Sequence, residues 1–109
     1  MDTEKKGIMN TNTEYKIPPE LADIIPGYLE RRELDIQALK IFALNNDFTS
    51  VAKLGHKLKG NGSSFGFDRI SELGSLLMRS CENKNMLEIK KFIIDFEKEV
   101  RNIKKCVFV

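Results

Sequence analysis

The sequence predicts an all-α fold: an up-and-down antiparallel four-helix bundle with a kinked or split first helix. Three observations carry this. Apolar residues recur at steps of three and four along four separate stretches. The stretches are joined by short polar turns, which makes neighbouring helices antiparallel. No segment alternates apolar and polar residues with a strand's period of two. Asn61-Gly62, a hairpin signal between strands, sits inside a helical stripe and is read as helix.

The first seventeen residues are polar, show no period that could bury a face, and are expected to form a flexible tail. The single domain is placed at 18–109. Pro18 and Pro19 mark the first helix start. The stripe of that helix is Leu21, Ile24, Ile25, Tyr28, Leu29, Ile36, Leu39, Phe42 and Ala43. Pro26 with Gly27 is expected to kink or split it, and Asn45 with Asn46 suits its end. Asp47 can cap the second helix, whose stripe runs through Val51, Leu54, Leu58, Gly62 and Phe65, with Gly66 placed as its terminator. Asp68 starts a third helix with Ile70, Leu73, Gly74, Leu77 and Cys81 on its inner face, and Asn83 to Asn85 form the next turn. The fourth repeats Met86, Ile89, Ile93, Phe96, Val100, Ile103 and Val107, a seam for packing against other helices.

Eighteen Lys and Arg are interspersed with 16 Asp and Glu, so the net charge of +2 carries no basic stripe of the kind nucleic acid requires. The basic C-terminal stretch, from Lys90 to Lys105, likewise alternates with Asp95, Glu97 and Glu99 and reads as a solvated face. Cys81 and Cys106 make no disulfide framework or metal-ligand spacing, and with one histidine in the chain no metal site is expected. The N-terminus lacks the apolar core of a signal peptide and no apolar run is long enough to span a membrane, so a cytoplasmic, membrane-free protein is expected.

The remaining signal is His56, within "AKLGHKLKGNGSSFGF". At ~100° per residue the apolar stripe of the second helix is centred roughly 170° away from it, so His56 faces solvent. Its neighbours one turn away, and at the next turn, are Ala52, Lys53, Lys59, Gly60 and Ser63. Each helical glycine costs about 1 kcal/mol relative to alanine. Gly55 and Gly62 lie towards the core and permit close helix packing, whereas Gly60 lies on the exposed side, where only close approach by another molecule accounts for it.

A phosphoryl group suits that face. A neutral imidazole, the prevalent form in water above pH ~6.5, has a nucleophilic nitrogen. Once the ring carries phosphate, the Lys59 ammonium faces anionic oxygens and attracts them. No base or acid stands beside Ser63 or Ser64 to make either a nucleophile; Ser63 reads as a small, phosphate-facing residue and Ser64 as structural. Lys53 and Lys57 read mainly as solvating, and Arg31 and Arg32 as part of an exposed charged surface.

The string "HKLKGNGSSFG" resembles the signature of histidine-containing phosphotransfer domains: His, Leu two residues later, Lys-Gly, and a closing Gly. His56, Leu58, Lys59, Gly60 and Gly66 fall on those positions. The similarity extends from about Pro19 to the end of the chain, through "ELADIIPGYLERRELDI" and "NNDFTSVAKLGHKLKG".

The resemblance implies a four-helix bundle with the histidine exposed on one helix, acting as a monomeric phosphorelay carrier in two-component signal transduction. It implies that His56 accepts a phosphoryl group from a receiver-domain aspartate or a histidine kinase, and passes it to another receiver. Lys59 would stabilise phosphate, with Ala52, Lys53, Gly60 and Ser63 at the docking face. The partners implied are receiver domains of response regulators or hybrid histidine kinases. Such a carrier is a phosphotransfer intermediate without turnover of its own; it needs no cofactor, because the receiver supplies the Mg²⁺. Two rivals share the fold. One is an adaptor that binds receiver or kinase domains without being phosphorylated. The other is the phosphoacceptor module of a chemotaxis-type kinase, which calls for dimerisation and ATP-binding domains to follow it.

Overall fold

The structure, a computed structural model, describes residues 19–107. The expected tail at 1–17 lies outside the described residues, as do Pro18 and the last two positions of the expected domain. A 3-10 turn at Pro19–Leu21 is followed by four helices: α1 Ile25–Leu44, α2 Phe48–Ser64, α3 Asp68–Glu82 and α4 Met86–Val107. No described residue is in a strand.

Each junction between consecutive helices is three residues long, too short for anything but an antiparallel neighbour. Cross-helix partners confirm the direction. Along α1 and α4, Glu33 pairs with Lys104 and Lys40 with Glu97. Between α3 and α4, Arg69 faces Asp95 and Ser80 donates to Glu88. Ser71 reaches back from α3 to Lys59 on α2. The sequence number rises on one helix as it falls on the other in both pairings with α4, and the approach of Gly55 to Gly74 and of Gly62 to Ser71 shows the same for α2 and α3. α1 touches α2, α2 touches α3, α3 touches α4, and α4 closes on α1.

The split in the first helix is real but lies elsewhere than expected. Pro26 does not kink α1; it occupies its first turn, where the missing N–H is one that no helix would satisfy and the fixed φ suits helix entry. The break falls ahead of Ile25, between the 3-10 turn and α1. Ile24, expected in the apolar stripe, is therefore half exposed outside the helix.

The other boundaries follow local chemistry. Asp47 caps α2 by accepting from the Ser50 N–H at 3.1 Å, and those hydrogen bonds, from side chain and backbone, hold its carboxyl below the usual range, with a smaller contribution from Lys53. Gly66 terminates α2 with φ +82°, a left-handed conformation that costs glycine no Cβ clash. Asn46 and Lys84 take the same region at the other two turns. Asp68 is the first residue of α3, with Phe67 ahead of it at the N-cap.

The core is the expected set of stripes. Tyr28, Leu29, Ile36 and Leu39 of α1 meet Val51 and Leu58 of α2, Ile70, Leu73 and Leu77 of α3, and Ile89, Phe96, Val100 and Ile103 of α4, all essentially excluded from solvent. Cys81 is buried with them, and the desolvation pushes its thiol pKa up. Cys106 is half-buried.

Arg32 departs from expectation. Its residue is only 4% exposed, with Nε 2.7 Å from the Asp35 carboxylate and the guanidinium 4.5 Å from the centroid of the Tyr28 ring. A delocalised cation tolerates burial when a carboxylate and an aromatic face replace water. The Tyr28 ring also stacks on Phe65 at 4.3 Å, and its hydroxyl donates to Asn61 Oδ1 at 2.8 Å. This cluster fastens α1 to the C-terminal half of α2.

Candidate functional site

The geometry of the His56 face begins with the glycines beneath it. A Cβ on Gly62 would stand 2.6 Å from the Ser71 backbone nitrogen, and one on Gly74 would stand 2.6 Å from that of Lys59. Real side chains do not fit at such distances, so α2 and α3 approach backbone to backbone along this line. Gly60 differs: nothing lies within 4 Å of its Cβ position. The expectation that Gly55 and Gly62 serve packing while Gly60 does not is met on both counts.

Close approach brings α3 to the site. His56, Lys59, Gly60, Ser63 and Ser64 of α2 line one shallow depression with Ser71 of α3. The Ser71 hydroxyl donates to the Lys59 carbonyl at 2.7 Å, and that of Ser64 donates to the Gly60 carbonyl at 3.0 Å. Both protons are committed within the protein. Ser63 donates to no described residue, so its hydroxyl can turn outward.

Of the predicted residues, Lys59, Gly60 and Ser63 are thus gathered around His56. Ala52 and Lys53 lie one turn before it and diverge. Ala52, half-buried, lines a second hollow on the α3 side with Phe48, Met78 and Cys81. Lys53 lines a third, on the α1 side, with Asp35, Phe42 and Lys57. Ser71 was not legible from the helical spacing of α2, because it arrives from another helix; only the partnering of α2 with α3 reveals it.

His56 is exposed, and its ring forms no hydrogen bond or ion pair with a described residue. The imidazole is therefore not oriented by a carboxylate as in a nucleophile–base relay. The ring is open to solvent. Lys59 is also exposed and makes no ion pair with a described carboxylate, so its charge is available to an incoming anion. No group of three or more His, Cys, Asp or Glu among the described residues could hold a metal ion, and no described helix is long and apolar enough to cross a membrane.

Comparison with protein-family models, with curated proteins and with solved structures gives no match to this chain. The chemistry of the site accordingly rests on its own residues.

Proposed function

We propose that this chain is a phosphorelay carrier, in which His56 takes a phosphoryl group from the aspartyl phosphate of a receiver domain and delivers it to another receiver. The observation that carries the reading is the combination at one depression of an exposed, unpartnered imidazole, an unpaired ammonium at Lys59 and an open approach over Gly60.

The chemistry is an in-line displacement. The lone pair of the unprotonated ring nitrogen forms the N–P bond as the P–O bond to the aspartate breaks, and the bonding electrons leave with the carboxylate. The other ring nitrogen keeps its proton. Delivery to the next receiver is the reverse reaction on a different aspartate. Lys59 offsets charge on the phosphoryl oxygens, and Ser63 can donate to one of them. The chain's contribution is position: a nucleophile held on a rigid helix whose backbone a receiver can approach closely.

Incubation of the full chain with phosphorylated receiver domains from the same cell, followed by mapping of acid-labile phosphate, tests this. Label is expected on His56 and absent from a His56→Gln variant that folds as the wild type does, since an exposed ring contributes little packing. Undiminished labelling of the variant excludes His56 as acceptor. Absence of transfer from every receiver tested favours the unphosphorylated adaptor.

A further inference from the structure

Large exposed apolar side chains are unevenly distributed over the bundle. Leu34, Ile41 and Leu44 of α1 and Leu87 and Ile94 of α4 are exposed, together with Ile24 just ahead of α1. α2 and α3 expose none. The cause is visible in α1, whose apolar residues surround the helix, whereas those of the other three keep to one side. A helix apolar all round has more surface to bury than one neighbouring seam covers.

The seam between α1 and α4 is polar at one end and apolar at the other. Lys104 crosses it to Glu33, and Lys40 crosses to Glu97 at 3.1 Å. Beyond Lys40, towards the end of α1, a groove opens, lined by Lys40, Ala43, Leu44, Lys90, Ile93 and Ile94. Leu44 is 80% exposed at its edge, and Leu87, one turn before Lys90 on α4, is 82% exposed.

The charge at this groove selects its occupant. Two ammonium groups line it and no carboxylate does; Glu97 engages Lys40, while Lys90 pairs with no described residue. A second copy docked through the same patch about a two-fold axis would bring another unpaired Lys90 to the groove and no free carboxylate. A segment carrying carboxylates beside its apolar side chains meets complementary charge instead. We propose that the α1–α4 groove docks an amphipathic helical segment of a partner protein. Its apolar face packs on Leu44, Ile93 and Ile94, and its acidic flank faces Lys90.

The position gives this docking a use. The helices close in the order α1, α2, α3, α4, so the α1–α4 seam lies across the bundle from the α2–α3 seam that holds His56. A segment seated in the groove leaves the histidine face open, and the protein can be tethered while another molecule approaches His56. The groove shares no residue with the His56 depression, so docking there is independent of phosphotransfer at His56.

The probe is a synthetic helical peptide with leucines along one face and glutamates on its flanks, titrated into the full chain and followed by amide chemical shifts and fluorescence anisotropy. Shifts are expected around the groove on α1 and α4, with His56 unmoved. A Leu44→Glu/Ile94→Glu double variant, folded by circular dichroism because both side chains are exposed, should bind at least about tenfold more weakly. Lys90→Glu and a peptide with lysines in place of the glutamates should each weaken binding. His56→Gln should bind the peptide as the wild type does, so loss of phosphotransfer does not bear on the result. The proposal is overturned by equal affinity for the double variant or by the absence of shifts at the groove. It is equally overturned if groove shifts arise only through self-association on concentration, or only with anionic lipid vesicles.

Discussion

Gly55 and Gly74 meet backbone to backbone where α2 crosses α3: a Cβ on Gly55 would stand 2.9 Å from the Gly74 carbonyl oxygen, and one on Gly74 would collide with that of Gly55. The contact sits directly beneath the turn that carries His56 and Lys59.

Gly74→Ala should therefore destabilise the protein, although alanine is the better helix former. The helical gain is up to about 1 kcal/mol, whereas forcing apart two backbones in a filled core typically costs about 1–3 kcal/mol or more. A urea midpoint lowered at unchanged m-value is the expected result, and a stabilised variant would mean the helices separate without cost.

Gly60 should behave in the opposite way. Its Cβ position is open, so Gly60→Ala is expected to stabilise by up to about 1 kcal/mol. Gly60→Gln should match or exceed the wild type in thermal stability while losing phosphotransfer from receiver domains, because its side chain stands in the approach to His56. Transfer at the wild-type rate by well-folded Gly60→Gln would remove close approach as the reason for this glycine.

On the phosphorelay reading, Lys59→Ala should slow transfer by about tenfold or more, equivalent to about 1.4 kcal/mol of barrier, and leave receiver binding mostly intact. Its backbone carbonyl still accepts from Ser71 in the variant, so the fold is retained. Rate and affinity falling in proportion would make Lys59 a docking residue instead.

Asp47 supplies a pH-dependent part of the stability. Its carboxyl is held below the usual range in the folded state, so the native protein binds fewer protons than the unfolded chain as pH falls through the carboxylate range. The contribution is complete above the ordinary carboxyl pKa and is lost as pH drops through the lowered one. The stability difference between wild type and Asp47→Ala should shrink on acidification, and Asp47→Asn, which keeps a capping oxygen that does not titrate, should remove that pH dependence. A difference constant with pH would mean the cap acts without its charge.

Much of the architecture was legible in the chain because it depends on local terms. Helical periodicity placed the four stripes, Asp47 and Gly66 marked both ends of α2, and the wheel put His56 opposite Leu54 and Leu58. Those follow from the spacing of apolar residues and from backbone preferences within a few positions. The same local reasoning separated Gly60 from Gly55 and Gly62.

What the tertiary structure decided were the relations between helices. Arg32 reads as a surface cation in sequence, yet the face of α1 that it shares with Tyr28 and Ile36 is packed into the bundle, where Asp35 and the Tyr28 ring of the same helix replace water around its guanidinium. Pro26 reads as a kink, yet with the preceding residues drawn into a separate turn it becomes the start of α1. Ser71 enters the His56 depression, and Gly74 comes to rest on Gly55, because two helices lacking side chains on their facing surfaces can close to backbone contact. Sequence spacing determines which side of one helix a residue occupies; the contacts it makes depend on the distance and register of a second helix, and those are set by packing across the whole core.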